Sequence, residues 1–286
     1  MNGFTAEAHY SRAGPLIKIL RAPFRGRAII RCPASLALDG KRADLPTRDK
    51  KNATYIADED YLRSAAGEKL LHMKYSGRLE RLRSYFGERY AGLRLLDVGI
   101  GYGMFLKALE ETGLSDLHGM DPFPDSIELA RRNTSARLVE GDINDPSWPF
   151  ERNSFDAITC LDVGEHLKEP AVFFLRARDY LRDEGIIVVT TPNGGLPYRM
   201  RSIPFVGFRD RNTTHINVHP PAWWRRLALE NGYEIVDEWK GEYLTHIRLI
   251  PKILAALCRL LRLDHRRIPL VNSFEQSYGM VLRPAR

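Results

Sequence analysis

Three glycines at alternate positions, Gly99, Gly101 and Gly103, follow the apolar run Leu93–Val98 and precede a helical stretch from Met104 to Glu111. The run reads as a buried strand, so the glycines fall on a strand-to-helix turn. Glycine there lets a ligand approach the main chain and takes positive φ without penalty. The start of the helix offers N–H groups with no intrahelical partner. A dinucleotide site would want a glycine at 104, and this chain has Met104. Asp97, two residues before Gly99, would repel a pyrophosphate but suits a cationic amino group.

Asp121 closes the next strand, Asp116–Met120. A carboxylate there can accept hydrogen bonds from both hydroxyls of a ribose, though an aspartate before Pro122 is also an ordinary turn former. Asp142 and Ile143 follow a third strand, Arg137–Glu140. Asp142 could accept a bond from an exocyclic amine while Ile143 packs on the ring; as an isolated pair they would be only a turn. His166 is the leading candidate base and His215 the second. His166 follows a fourth strand, Phe155–Leu161, at the carboxyl edge where open α/β sheets bind ligands, and imidazole titrates near neutrality. A histidine held across its own turn is the plainer alternative. His219, before Pro220 and Pro221, reads as a helix-entry residue.

The elements that must position these residues alternate in type. Residues 61–90 read as a helix through Leu70, Leu71, Tyr75, Leu79, Leu82 and Phe86. Helices are expected at Pro124–Asn133, at Pro170–Leu181 with Gly185 just past its end, and at Pro221–Asn231 closed by Gly232. Further strands are expected at Ile186–Thr190, Tyr233–Glu238 and Gln276–Leu282. Such alternation implies a mostly parallel sheet, doubly wound with helices on both faces. A helix near 249–263 is inserted before the last strand.

The motif Asp97-x-Gly99-x-Gly101-x-Gly103 resembles the first motif of class I S-adenosylmethionine (SAM) methyltransferases. The likeness extends through Ser154-Phe155-Asp156-Ala157-Ile158, Leu161-Asp162-Val163-Gly164-Glu165-His166-Leu167, Tyr180–Gly185, Thr191-Pro192-Asn193, His215-Ile216-Asn217 and Asn231-Gly232-Tyr233-Glu234-Ile235. This succession resembles the bacterial group that includes ubiquinone-biosynthesis O-methyltransferases and many sugar, lipid and natural-product enzymes. It covers roughly residues 60–247, with a final strand near 276–282. The resemblance implies a seven-stranded Rossmann-like methyltransferase fold over 56–286, with an insert at about 248–272. It implies a SAM site built from Asp97, Gly99, Gly101, Gly103, Asp121, Asp142, Ile143 and Leu161, and methyl transfer to oxygen of a small or lipid-like hydroxylated acceptor. Some similar quinone O-methyltransferases hold a divalent cation at the positions of Asp162, Glu165 and His166, where i, i+3, i+4 spacing would share a helical face. Histidine suits magnesium poorly, so a turn in which Glu165 orients its neighbours is favoured over a metal. A SAM-binding partner without catalysis, a nucleic-acid methyltransferase and an NAD-dependent enzyme are the competing readings.

Composition bounds the rest. The chain has 286 residues, 44% hydrophobic and 28% charged, which excludes disordered, collagen-like and low-complexity classes. Cys32, Cys160 and Cys258 form no CxxC, giving neither a disulfide framework nor zinc-ligand spacing. Met1–Tyr10 lacks the apolar stretch of a secretion signal, so a cytoplasmic location is expected.

Charge is uneven. Residues 1–55, a proline-containing extension, hold 11 Lys/Arg against 4 Asp/Glu, and residues 248–286 hold 8 against 2. Leu16, Ile17, Ile19 and Leu20 with Lys18, Arg21 and Arg25 repeat at the N-terminus the chemistry of the inserted helix. There Ile250, Leu254, Leu257 and Leu261 lie among Lys252, Arg259, Arg262 and Arg266. Peripheral contact with an anionic membrane is one expectation, and a lid over the acceptor pocket the other. Nucleic acid is not favoured: the Asn/Asp-Pro-Pro-aromatic motif is missing after the fourth strand, and no aromatic residues interleave the basic run.

Overall fold

The computed structural model describes residues 65–199, 214–241 and 277–285, together with Ile253, Leu257, Leu260 and Leu261; side chains are described from Lys74 onward. The extension at 1–55 and most of the expected insert lie outside the described residues. Cys160 is a free, buried thiol.

Helix α1 (Ala65–Phe86) runs into a 3-10 turn at Gly87–Gly92 and then β1 (Arg94–Val98). There follow α2 (Met104–Glu110), β2 (Asp116–Asp121), α3 (Pro124–Ala130), β3 (Arg137–Glu140) and β4 (Phe155–Leu161). Next come α4 (Ala171–Tyr180), β5 (Leu181–Pro192), the short α5 (Leu196–Arg199), α6 (Pro221–Glu230), β6 (Tyr233–Lys240) and β7 (Ser277–Pro284). Pro124 and Pro221 each open a helix, where a missing N–H costs nothing.

One seven-stranded sheet has the order β3-β2-β1-β4-β5-β7-β6. The pairs among β1 to β5 are parallel, while β7 runs antiparallel to both β5 and β6. Strands β1, β4 and β5 are covered on both faces and so read as continuous apolar runs. The pleat sends Leu95, Ile186 and Val188 to one face, against Leu82 and Phe86 of α1, Phe105, Leu106 and Leu109 of α2, and Ile127 and Ala130 of α3. It sends Leu96, Ile187 and Val189 to the other, against Phe173, Phe174, Ala177 and Tyr180 of α4, and Trp224 and Ala228 of α6.

The expectation that Gly185 lies just past the end of α4 is corrected. The helix stops at Tyr180, and Leu181 is already extended and paired with Phe155. Phe155 pairs with Leu181 and Ala157 with Ile186, so Arg182 to Gly185 form an irregularity inside β5. The Arg182 guanidinium pins it by bonding both Asp156 oxygens, at 2.7 and 2.8 Å. Burying Leu181 in the core wins over the local stop signal.

Candidate active site

The carboxyl ends of β1, β2, β4 and β5 meet at one edge, and the candidate residues gather there. Gly99, Gly101 and Gly103 all have positive φ, at +79°, +53° and +72°. The Gly99 N–H donates to the Met120 carbonyl at 2.7 Å, and Gly103 N–H to Ile100 at 2.9 Å, which closes the turn. The three differ in purpose. A Cβ on Gly99 would lie 2.4 Å from the Val163 side chain, and one on Gly103 2.9 Å from Ala130. A Cβ on Gly101 would meet nothing within 4 Å. The outer two allow packing of the turn, and the middle one faces open space where a ligand can reach the main chain.

Asp121 is buried beside this turn. One carboxylate oxygen accepts the Gly101 N–H at 3.1 Å, the other the Phe123 N–H at 3.0 Å. Two lone pairs remain for a ligand hydroxyl. Asp97, one strand away, is also buried, and the Thr159 hydroxyl donates to it at 2.5 Å. Burial pushes the Asp97 carboxyl up to about 7, against the pull of the Thr159 hydroxyl and the Arg78 charge; Asp121's negative charge adds to the rise. Two buried carboxylates with a raised pKa form a pocket of unmet negative potential, suited to a cation.

Asp142 is half-buried, and its carboxylate accepts both the N–H and the side-chain amide of Asn144, at 2.9 and 2.8 Å. It closes a turn over the buried Ile143. Leu161 is half-buried at the end of β4.

The expectation of one helical face for Asp162, Glu165 and His166 is corrected. Asp162 sits at φ +58°, and Gly164–His166 form a single 3-10 turn. Asp162 turns instead toward α1: Lys74 Nζ lies 3.1 Å and Arg78 Nη2 3.4 Å from its carboxylate, and the Thr190 hydroxyl donates at 3.0 Å. Burial opposes ionisation, but the Lys74 and Arg78 charges overcome it and hold the carboxyl well below the usual range.

Glu165 and His166 meet His215 instead, their ligand atoms all within 4.8 Å of one another. Glu165 is buried, with one oxygen 3.8 Å from His215 Nε2. Its carbonyl accepts the N–H groups of Ile216 and Asn217, each at 2.9 Å, and the Asn217 side chain donates to the Leu167 carbonyl. That ties the 214–219 strip to the turn after β4. The two imidazoles pack edge to face, centroids 4.7 Å apart, and His166 Nδ1 lies 2.9 Å from the Thr214 hydroxyl. Two imidazoles and a carboxylate are a donor set for zinc-like cations rather than for magnesium. His219 stacks on Trp223 at 3.8 Å beside the start of α6.

Lys74, Arg78, Thr159 and Thr190 were not picked out from sequence. A signal existed for one of them. Arg78 falls within the apolar stripe Tyr75, Leu79, Leu82, Phe86, where a cation needs a buried partner.

The strand order, the glycine turn after β1 and the acid ending β2 define a class I SAM-dependent methyltransferase. A family model described as a methyltransferase domain matches residues 71–238, and the chain belongs to that family. It is 29% identical over 212 residues to the ubiquinone biosynthesis O-methyltransferase of Neisseria meningitidis serogroup A, covering 68% of this chain and 78% of that protein. It is 29% identical over 147 residues to the mitochondrial ubiquinone biosynthesis O-methyltransferase of Schizosaccharomyces pombe, with 48% and 52% covered. The chain spans about half the length of several such relatives, from 41% to 52%. Among solved structures, a SAM-dependent methyltransferase from Aquifex aeolicus superposes with a TM-score of 0.52 at 12% identity, over 82% of this chain and 98% of that one. A protein from Pyrococcus horikoshii OT3 gives 0.53 at 18%, over 80% and 97%. These are likenesses of fold. The cofactor of the class is SAM, and the site fits it: open main chain at Gly101, and two buried carboxylates facing a ligand that carries an ammonium and a ribose.

Proposed function

We propose that this protein transfers the SAM methyl group to a hydroxyl oxygen of a small or lipid-like acceptor, such as a phenol, quinol or sugar. The observation that carries the proposal is the pairing, on one sheet edge, of the Asp97–Gly101–Asp121 cradle with the Glu165–His166–His215 cluster. The named activity of the ubiquinone biosynthesis relatives supports oxygen as the acceptor atom.

Bound SAM supplies an electrophilic methyl group together with its own leaving group, a neutral thioether. The chain's residues do the rest. Asp97 holds the ammonium, Asp121 the ribose hydroxyls, and the turn at Gly101 lets the main chain close on the ligand. Arg78 and Lys74 offer positive charge near the ligand's carboxylate. Asp142, Ile143 and Leu161 line the adenine end. Alignment of this kind can supply up to ~7–11 kcal/mol of the barrier.

The acceptor hydroxyl gives up its proton as its oxygen bonds to carbon, and His166 or His215 takes it. Glu165, 3.8 Å from His215, stabilises the imidazolium that forms. A positioned base contributes ~10²–10⁴-fold. A second reading follows from the same cluster: Glu165, His166 and His215 hold a zinc-like cation that neutralises the acceptor oxygen's charge.

The test is a SAM-dependent methylation screen over phenols, quinols, sugars and lipids, run with His166→Asn and His215→Asn and with a chelator arm. Product from the native chain and loss in one histidine variant is expected. Turnover unaffected by chelator removes the cation reading. SAM binding with no methylated acceptor would instead mark a non-catalytic SAM-binding protein.

A further inference from the structure

We propose that the segment between β6 and β7 docks the protein on an anionic lipid bilayer, with Ile253, Leu257, Leu260 and Leu261 as the face that enters the lipid. Ile253, Leu257 and Leu260 are helical, and the Leu261 N–H donates to the Leu257 carbonyl at 2.9 Å. Positions i, i+4, i+7 and i+8 fall on one stripe about 100° wide. All four side chains are exposed, Leu260 at 79%. A single exposed leucine is ordinary, but four on one helical stripe make an apolar surface that water leaves unsatisfied.

The segment's place in the fold gives that surface a use. Lys240 pairs with Tyr278 and Pro192 with Ser277, so the chain leaves the sheet after β6 and rejoins it at the start of β7 on the carboxyl edge. That edge carries Asp97, Asp121 and Asp162. A bilayer contacted by this segment lies on the catalytic side of the sheet.

Charge selects the occupant. Residues 248–286 hold 8 Lys/Arg against 2 Asp/Glu, and Lys252, Arg259 and Arg262 are interleaved in sequence with the exposed leucines. Leucines at the acyl boundary and cations at the phosphates are complementary to an anionic headgroup layer. A second copy of this chain would bring the same positive charge to the contact. The proposal deepens the functional reading above and rests on it for one point only, that a lipid-like acceptor is met at the membrane.

The test is flotation of the full chain with phosphatidylcholine vesicles, with and without phosphatidylglycerol, at low and high salt. The expected result is flotation with the anionic vesicles, weakened by salt. The double variant Leu257→Glu/Leu260→Glu should lose it by about tenfold or more, with SAM binding by calorimetry unchanged. No flotation at low salt, or flotation equal in the double variant, overturns the proposal. A dimer that the double variant dissociates, without vesicle binding, assigns the face to a second copy and also overturns it. Flotation is read without turnover, so it stands even if no acceptor is methylated; methylation of a soluble acceptor by a chain that ignores vesicles sinks the docking alone.

Discussion

Asp97 and Asp162 occupy matching places, one at the carboxyl end of β1 and the other just past β4, yet they carry opposite electrostatics. Asp97 has the Thr159 hydroxyl as its hydrogen-bond donor, and burial lifts its carboxyl to about 7. Asp162 has Lys74, Arg78 and the Thr190 hydroxyl, and stays ionised far below the usual range. One carboxylate is satisfied within the protein and fixes the first helix to the sheet. The other is left for a ligand, at a cost to the folded chain. Cofactor sites and structural ion pairs can thus share an edge and a residue type, and what separates them is whether a cation is already supplied.

The largest effect expected from breaking this contrast is in Asp162→Asn. The amide tolerates the left-handed backbone but leaves the fully buried Arg78 facing no charge. Loss of one partner of a buried pair costs ~3–5 kcal/mol. Partial exposure of Lys74 and Asp162 reduces this to about 2–3 kcal/mol, read as a lower denaturation midpoint in urea. A midpoint within experimental error of the native chain would show that Lys74 and Arg78 draw their stability elsewhere.

Next is Asp97→Asn. Loss of a charged hydrogen-bond partner should weaken SAM binding about tenfold to hundredfold by calorimetry, with no loss of stability near neutral pH. An unchanged affinity would remove Asp97 from the ammonium site.

The pH dependence of stability sharpens the same contrast. Asp97's folded pKa is raised, so the folded state holds a proton that the unfolded chain has released. Its contribution is present below about 4 and is lost as pH rises toward about 7. Asp162's pKa is depressed, so its contribution is present above the unfolded value and is lost as pH falls into the acid range. Thermal melts from about pH 4.5 to 7.5 should therefore show a decline with rising pH that Asp97→Asn flattens. Equal slopes in the two proteins would place the titration elsewhere. SAM affinity should rise over the same interval as Asp97 ionises.

The smallest expected effect belongs to Thr159→Val. Removing the hydroxyl takes away a bond that favours the Asp97 carboxylate, worth about 1 kcal/mol. The pH at which SAM affinity is half-developed should move upward by about one unit or less. A downward move would mean that Thr159 does not act on the charged form.

Much of the scaffold was legible because central parallel strands are buried on both faces and leave unbroken apolar runs. The bounds of β3 and β4 agree with the sequence reading, and α2, α3 and α6 differ from it only at their ends. The glycine turn was equally legible, since three alternate glycines mark positive φ before any contact is known. Gly185 misled because a glycine after a helix is a local stop signal, while Leu181 answers to Phe155 across the sheet. The set Asp162, Glu165 and His166 misled because helical spacing was applied to a 3-10 turn entered from a left-handed residue.

By itself the sequence determined the order of elements, the ligand-facing turn and the acids that end the strands, because strand burial and glycine conformation are properties of short stretches of chain. Only the tertiary structure decided which acid is paired and which is left for a cation, and that His215 joins Glu165 across fifty residues. Those outcomes depend on burial and on distances of a few ångströms between segments far apart in the chain. No local pattern encodes them.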